Sequence, residues 1–278
     1  MVPAGEYLKC LKPGSSLVVL GSLYLGMVLG GNSLAVPLPE FLLLCVVGMG
    51  VSGGAQALNM YCDLKLDRVS HPERPFPRGK VKGERLLLLS ALLFSLSLLS
   101  LPLGPPIFLL TLLGVLLGLL YSLPPLPLGR WYTSYPISSL GYVFLPFLAG
   151  HLSLSPLTGE AVEVALLFTL LSLFLSPLKD LKDREGDRRS GKPTFPARLG
   201  VRKTLVFSLS GLFLALLSFL LLNPRGPEWF LSYLVCTATF LLPTLFFSEG
   251  LLRRDPFWLV RLWALASQLL FAGWWVYL

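Results

Sequence analysis

Nine runs of about 20 apolar residues limit what this chain can fold into more than any other feature of its sequence. Each run can cross the hydrocarbon core of a bilayer, and 54% of the residues are hydrophobic against 14% charged. Backbone groups inside a bilayer must bond within their own segment, as they do in a helix. We therefore predict an all-α integral membrane protein with one domain over residues 1–278. The predicted spans are 15–36, 38–60, 84–103, 105–122, 135–152, 160–178, 203–222, 228–247 and 257–277.

The basic residues divide unequally between the two sides of the predicted bundle. Every Lys and Arg except Arg225 falls on the side of the N-terminus. Because basic residues are retained in the cytoplasm, we predict a multi-pass protein of the inner or plasma membrane with a cytoplasmic N-terminus and Leu278 outside. The two long connections, 61–83 and 179–202, then lie in the cytoplasm. The net charge of +8 reflects this topology, and we expect no nucleic-acid binding, because no base-stacking aromatic pattern accompanies it.

Two acidic motifs begin at the cytoplasmic ends of the second and sixth predicted spans. The first is "NMYCDLKLD" (59–67) and the second is "KDLKDREGDRRSGK" (179–192). In both, aspartates recur at a spacing of four residues, which places them about 6 Å apart on one face if each helix continues through its motif. Equivalent motifs four spans apart predict an internal duplication of helices 1–4 and 5–8, with a ninth helix appended.

Carboxylates grouped in this way repel one another unless a cation lies between them. Magnesium binds one or two carboxylates and completes its shell with water and substrate phosphate. Two facing acidic motifs with basic residues nearby therefore predict a site that holds a diphosphate through bridging Mg²⁺ ions. The nearby basic residues are Arg74, Arg78, Lys80, Lys179 and Arg188. The alternatives are solvated loop charges and the coordination site of an ion-coupled transporter, although transporter sites lie near the bilayer midplane and not at span ends.

Both motifs resemble those of the UbiA superfamily of intramembrane prenyltransferases. The resemblance extends to "HPERPFPRGKV" (71–81), "YSLPPLPLGR" (121–130) and "FPARLG" (195–200). It implies a helical bundle around a lipid-open cavity, with magnesium-bound diphosphate under a cytoplasmic cap. The implied metal-site residues are Asn59, Asp63, Asp67, Asp183 and Asp187, of which the four aspartates are the expected catalytic residues. The expected substrate-binding residues are Asn59, Arg74, Arg78, Lys80, Tyr121, Arg130, Lys179 and Asp180.

The resemblance also implies the reaction and its substrates. A prenyl group passes from an allylic polyprenyl diphosphate, geranylgeranyl or similar, to a lipophilic acceptor within the membrane. Metals and cations neutralise the departing diphosphate, and an aromatic face such as that of Tyr121 suits the allylic cation. The motifs are closest to the chlorophyll, bacteriochlorophyll and homogentisate branch, which predicts an aromatic or tetrapyrrole-like acceptor. "HPERPFPRG" (71–79) also fits digeranylgeranylglyceryl phosphate synthases, whose acceptor is a glycerol-phosphate lipid, so that alternative stays open.

Overall fold

The computed structural model describes residues 4–125, 127–222 and 257–277, and these ranges are helical with no β-strand among them. The helices are α1 (Ala4–Cys10), α2 (Pro13–Gly31), α3 (Leu38–Cys62), α4 (Leu64–Ser70), α5 (Gly83–Ser95), α6 (Pro105–Ser122), α7 (Ser134–Ser139), α8 (Leu145–Leu152), α9 (Gly159–Lys179), α10 (Arg184–Ser190), α11 (Phe195–Leu222) and α12 (Phe257–Tyr277). A 3-10 segment, Leu96–Leu103, continues α5, and a π-helical turn, Leu140–Phe144, joins α7 to α8.

Six helical segments of the described ranges are long and apolar enough to cross a membrane. They are α2, α3, α5 with its 3-10 extension, α6, α9 and the first 24 residues of α11. All six overlap predicted spans, although α11 is kinked at Gly200 (φ 79°, ψ 174°) before the predicted span 203–222 begins. The all-helical membrane fold is thereby confirmed. The predicted span 228–247 lies outside the described residues, so the total of nine spans stays a prediction.

The predicted span 135–152 is helical but is not one regular α-helix. It consists of α7, the π-helical turn and α8. Pro146 has no N–H to donate, and its ring would meet the carbonyl of Tyr142 in regular α-helical geometry. The wider π-helical turn directly before this proline accommodates that clash.

The backbones of α2 and α8 touch at three glycines. A Cβ on Gly26 would overlap the carbonyl oxygen of Phe147, and one on Gly150 would overlap that of Leu23. A Cβ on Gly30 would lie 2.6 Å from the carbonyl oxygen of His151. Small residues allow this close approach in membrane proteins, where packing replaces the hydrophobic effect between helices. The contact joins the first half of the predicted duplication to the second half.

The two acidic motifs interrupt their helices, whereas their four-residue spacing predicted that the helices continue through them. α3 ends at Cys62, and Asp63 has φ −92° and ψ 11° before α4 begins. Asp183 repeats this conformation, with φ −93° and ψ 1°, before α10. The two short helices then meet, since a Cβ on Gly186 would lie 2.9 Å from the carbonyl oxygen of Ser70. The motifs therefore face one another at one end of the bundle.

Candidate active site

One cavity of about 550 Å³ lies among α2, α3, α6, α9 and the α7–α8 segment and opens at the two acidic motifs. We call its charged end the mouth. Most of the residues that the sequence predicted for the site line this cavity. They are Asn59, Asp63, Asp67, Arg74, Tyr121, Lys179, Asp180, Asp183 and Asp187. The structure thus brings together residues that are up to 128 positions apart in the chain.

Asp63 lies at the break between α3 and α4 and binds groups from two directions. The Asn59 amide Nδ2 donates to its Oδ2 at 2.9 Å. Arg130 Nε donates to its Oδ1 at 3.1 Å, and the same guanidinium donates to the Cys62 carbonyl at 3.1 Å. These contacts fix the orientation of the carboxylate at the mouth.

Asp67 lies one turn further on, in α4, and is only 4% exposed. Its Oδ1 accepts a hydrogen bond from Arg74 Nη1 at 2.6 Å. Its Oδ2 is buried and has no hydrogen-bond partner in the structure. An unpartnered carboxylate oxygen is destabilising in a buried position, and a cation would relieve this. Asp67 therefore presents one oxygen that is ready to accept a cation.

The aspartates of the second motif have different partners. Asp183 Oδ2 lies 3.8 Å from His71 Nε2, which comes from the loop after the first motif. Asp187 is 3% exposed and accepts a hydrogen bond from Thr194 Oγ1 at 3.0 Å. Asp180 accepts one from Tyr135 at 2.9 Å.

Burial governs the ionisation of this mouth. It raises the pKa of the Asp187 carboxyl to about 6, although Lys192 nearby opposes the rise. Burial likewise raises the pKa of Asp183, against the influence of His71. The pKa of His71 is lowered, first by burial and then by Arg74. Water therefore stabilises these carboxylates poorly, and a metal cation would restore their charged forms.

Lys12 and Lys192 also line the mouth, although they are not among the site residues predicted from the sequence. Lys12 precedes the first residue of α2, and Lys192 follows Gly191, which has a left-handed φ of 74°. Burial, and next Arg74, lower the pKa of Lys12 to about 7. Burial acts to lower the pKa of Lys192, but Tyr121 and next the carboxylates of the mouth outweigh it and keep this pKa raised. Both lysines stand at the ends of spans, where basic residues are expected for topology alone.

Because Lys12 loses its proton near neutral pH, it predicts a pH dependence of substrate capture. The value of kcat/KM reports groups of the free enzyme, so for a diphosphate substrate it should fall as pH rises through about 7. At acidic pH, the kcat/KM of Lys12→Gln should be about 10-fold lower than that of the wild type, because a charge-assisted contact is lost. The pH profile of this variant should lack the step near pH 7. Lys9→Gln is the matched control, since Lys9 is exposed and pairs with Glu6. An unchanged step in Lys12→Gln would contradict the assignment.

Three of the predicted substrate-binding residues are absent from the cavity lining, namely Arg78, Lys80 and Arg130. Lys80 Nζ lies 3.6 Å from Glu6 on α1. Arg130 reaches the site only through Asp63. The neighbouring Gly129 packs directly against the ring of Tyr121, so a side chain at position 129 would displace that ring.

Below the mouth the cavity is mostly apolar. Its walls include Val19, Leu23, Leu44, Val47, Val51, Leu110, Leu117, Val143, Leu145 and Phe168. The Gln56 amide donates to the Tyr142 hydroxyl across this space. Every charged side chain that lines the cavity within the described ranges belongs to the mouth. The cavity is thus suited to a molecule with an anionic head and a hydrocarbon tail.

The carboxylates of the mouth are suitable ligands for a Mg²⁺ ion that the substrate also coordinates. Within the described part of the chain, no three His, Cys, Asp or Glu side chains converge closely enough to hold a metal ion alone. Mg²⁺ does not require such a group, because one or two carboxylates, waters and substrate phosphate oxygens suffice. The Oδ2 atom of Asp67, which has no hydrogen-bond partner, and the poorly solvated carboxylates of Asp183 and Asp187 provide ligands of this type.

Comparison with known proteins gives the same picture over most of the chain. The model of the UbiA prenyltransferase family matches residues 19–277. Digeranylgeranylglyceryl phosphate synthase of Methanosarcina mazei is 30% identical over 227 residues, covering 77% of this chain and 75% of that protein. The bacteriochlorophyll synthase 33 kDa chain of Cereibacter sphaeroides is 36% identical over 160 residues, 56% of this chain and 53% of its own length. The chain thus spans about half the length of that relative.

Solved structures share the fold. A UbiA homologue from Archaeoglobus fulgidus bound to GPP and Mg²⁺ superposes with a TM-score of 0.74 at 17% identity, covering 96% of this chain and 99% of that one. A digeranylgeranylglyceryl phosphate synthase superposes with a TM-score of 0.69 at 21% identity, covering both chains completely. The helical arrangement described above is therefore one already known from experiment.

Proposed function

The chain belongs to the UbiA prenyltransferase family, and we propose from this membership that it transfers a prenyl group from a polyprenyl diphosphate to a lipophilic acceptor in the membrane, with Mg²⁺ as cofactor. One observation supports the proposal above all others. Carboxylates and cations from both acidic motifs meet at one end of a cavity whose remainder is mostly apolar. A prenyl diphosphate has the same division into a charged head and an apolar tail.

The residues of the mouth have complementary roles in this proposal. Asn59, Asp63, Asp67, Asp183 and Asp187 would hold Mg²⁺, which supplies charge neutralisation to the diphosphate as it leaves. Arg74, Lys179, Lys12 and Lys192 would bind the diphosphate oxygens directly. Asp180 orients Tyr135, over whose ring Lys179 Nζ lies at 5.9 Å. Arg130 fixes Asp63 and acts through it.

Loss of the diphosphate leaves an allylic cation that must be kept from water. Tyr121 lines the cavity next to the mouth, and its ring is fixed by Gly129. An aromatic face stabilises a cation at such a position. The apolar walls below exclude water, so that the acceptor and not solvent captures the cation.

For the acceptor, we propose an aromatic or tetrapyrrole-like molecule. Leu175 and Ser176 line the cavity next to the mouth. The resemblance to the glycerol-phosphate branch would imply an Arg-Glu pair at this place, before the second motif. Gln56 and Tyr142 add neutral hydrogen-bonding groups. A glycerol-phosphate lipid is the second candidate, because the Methanosarcina mazei synthase matches a larger share of this chain than the bacteriochlorophyll synthase does.

Purified protein, geranylgeranyl diphosphate and Mg²⁺ should be incubated with chlorophyllide, homogentisate and geranylgeranylglyceryl phosphate in separate reactions. Mass spectrometry of each product identifies the acceptor. A product with either of the first two supports the leading proposal, whereas a product with the third alone supports the second candidate. Absence of any prenylated product under all conditions would contradict the proposed activity. The family membership already decides against the ion-coupled transporter.

We also propose the orientation that the basic residues predict, with both acidic motifs in the cytoplasm. In a variant without native cysteines, a membrane-impermeant thiol reagent added outside should label Leu157→Cys, because Leu157 is 52% exposed on the opposite side of the bundle. It should not label Glu185→Cys, whose native side chain is 59% exposed beside the second motif. The reverse labelling pattern would overturn the orientation.

A duplication of helices 1–4 and 5–8 remains our proposal for the single domain. The nearly identical backbone of Asp63 and Asp183, each followed by a seven-residue helix, supports it.

A further inference from the structure

The depth of the cavity suggests a limit on the substrate tail, and this inference rests on the proposed function. α3 lines the cavity from Asn59 at the mouth to Leu44, over four turns. At 1.5 Å per residue this stretch is about 22 Å long. The α7–α8 segment lines it over the same number of residues, from Ser134 to Ala149.

The deep end of the cavity is closed by a packed cluster. Leu23, Leu44 and Ala149 line the cavity and are at most 7% exposed. Behind them lie the fully buried Met27 and Ile107. A tail that enters from the mouth along α3 therefore meets a floor.

An isoprene unit adds four chain carbons, on the order of 5 Å at carbon–carbon bond lengths near 1.5 Å. The diphosphate is held at the mouth by the charged residues, so the first carbon of the tail lies near Asn59. A depth of about 22 Å along α3 then accommodates about four isoprene units. A longer tail would have to displace the floor or leave the cavity sideways.

Two glycines keep the middle of this path open. Gly141 lies in the π-helical turn and lines the cavity, and a Cβ there would meet no atom within 4 Å. Gly114 lines it from α6, and the nearest atom to a Cβ there would be Val51 Cγ1 at 3.4 Å. Each glycine stands seven residues from a mouth residue of its own segment, Ser134 or Tyr121, which corresponds to about 10 Å or two isoprene units.

We infer that Gly114 and Gly141 keep the tail path open and that the floor of Leu23, Leu44 and Ala149 limits the tail to about four isoprene units. A larger side chain at either glycine would project into the path, and a smaller one at Leu44 would lower the floor. These positions therefore determine the chain length that the protein selects.

The test compares the affinities of geranyl, farnesyl, geranylgeranyl and geranylfarnesyl diphosphate, with inorganic diphosphate as the tail-free reference. Binding is measured with Mg²⁺ and without acceptor, so the unknown acceptor does not enter. Affinity in the wild type should rise with each unit up to geranylgeranyl and then stop rising. Gly141→Leu and Gly114→Leu should bind geranyl diphosphate with the affinity of the wild type. Their affinity for geranylgeranyl diphosphate should be lower than that of the wild type by about 10-fold or more.

Ratios between chain lengths within one variant do not depend on how much of the sample is folded. Gly273→Leu is the matched control, because a Cβ on Gly273 also meets no atom within 4 Å but this residue does not line the cavity. Leu44→Ala should raise the affinity for geranylfarnesyl relative to geranylgeranyl diphosphate.

Two different failures can be told apart. A wild type that binds no prenyl diphosphate would contradict the proposed function itself. A wild type whose affinity keeps rising beyond geranylgeranyl, or glycine variants that weaken all tails equally, would overturn the length limit and leave the proposed function intact. The first of these patterns would mean that the tail leaves the cavity sideways into the bilayer.

Discussion

Replacement of Asp63 or Asp183 by alanine is expected to lower the rate of prenyl transfer by about 100-fold or more, while the protein still inserts and purifies normally. Each aspartate lines the mouth of the cavity, one from each acidic motif. Each would contribute to the same neutralisation of the departing diphosphate. The double variant should therefore be little worse than either single variant, as is usual for residues that act as one catalytic unit.

The alternative is that these aspartates serve stability as partners of nearby cations. The structure makes this effect small for the two chosen positions. Arg130, the partner of Asp63, has a side chain that is 40% exposed, and His71 lies 3.8 Å from Asp183. Asp67 would be a poorer choice, because its removal would leave the less exposed Arg74 without its 2.6 Å partner.

Thermal unfolding in detergent and single-turnover prenyl transfer should be measured on the same samples. Glu185→Ala is the matched control, because Glu185 lies in α10 between Asp183 and Asp187 but pairs with Arg184 and does not line the cavity. It should retain wild-type activity. If activity in the aspartate variants falls only in proportion to the unfolded fraction, the catalytic assignment is wrong.

Removal of Mg²⁺ with a chelator is expected to abolish turnover and tight diphosphate binding, and added Mg²⁺ should restore both. The aspartates of the mouth and the diphosphate are all negatively charged, and burial already disfavours the ionised forms of Asp183 and Asp187. Lysines and Arg74 offset only part of this charge. The loss should reach about 100-fold or more, because metal coordination stabilises the transition state by several kcal/mol.

Thermal shift gives a second readout that needs no turnover. Since the part of the chain that the structure describes offers too few ligands for a complete site, inorganic diphosphate and Mg²⁺ together should stabilise the protein more than the sum of their separate effects. Asp67→Asn should weaken this joint effect. Undiminished prenyl transfer in chelator would refute the metal-assisted mechanism.

The sequence predicted the membrane-spanning helices well, because a long apolar run has few alternatives to a helix in a bilayer. The sequence was less informative where prolines or aspartates break a regular helix. The span 135–152 contains Pro136 and Pro146 and includes a π-helical turn that hydropathy does not reveal. α3 ends directly before Asp63 and α9 ends at Lys179, and a new short helix begins after Asp63 and after Asp183, although the four-residue spacing suggested continuous helices.

The same distinction holds for the candidate site. The acidic motifs identified the carboxylates at the mouth, because acidic residues are rare at membrane depth and here recur at a spacing of four residues. Lys12 and Lys192 were missed, because a basic residue at the end of a span is expected from topology alone, without any function in a site. Lys80 was selected for its nearness to the first motif, but its ammonium group lies beside Glu6. Only the path of the loop decides which basic side chains face the cavity.

The glycine contact between α2 and α8 has a consequence for the membrane in which the protein works. Transporters expose one site to both sides in turn by rocking two halves against each other. Here the backbones of α2 and α8, one from each half of the proposed duplication, touch at Gly26, Gly30 and Gly150, so sliding or rotation would press carbonyl groups against the opposing backbone. We therefore expect α2 and α8 to keep a fixed position relative to each other. With α2 and α8 held together in this way, we expect the charged mouth to stay on one side of the membrane and to provide no path for ions to the other side.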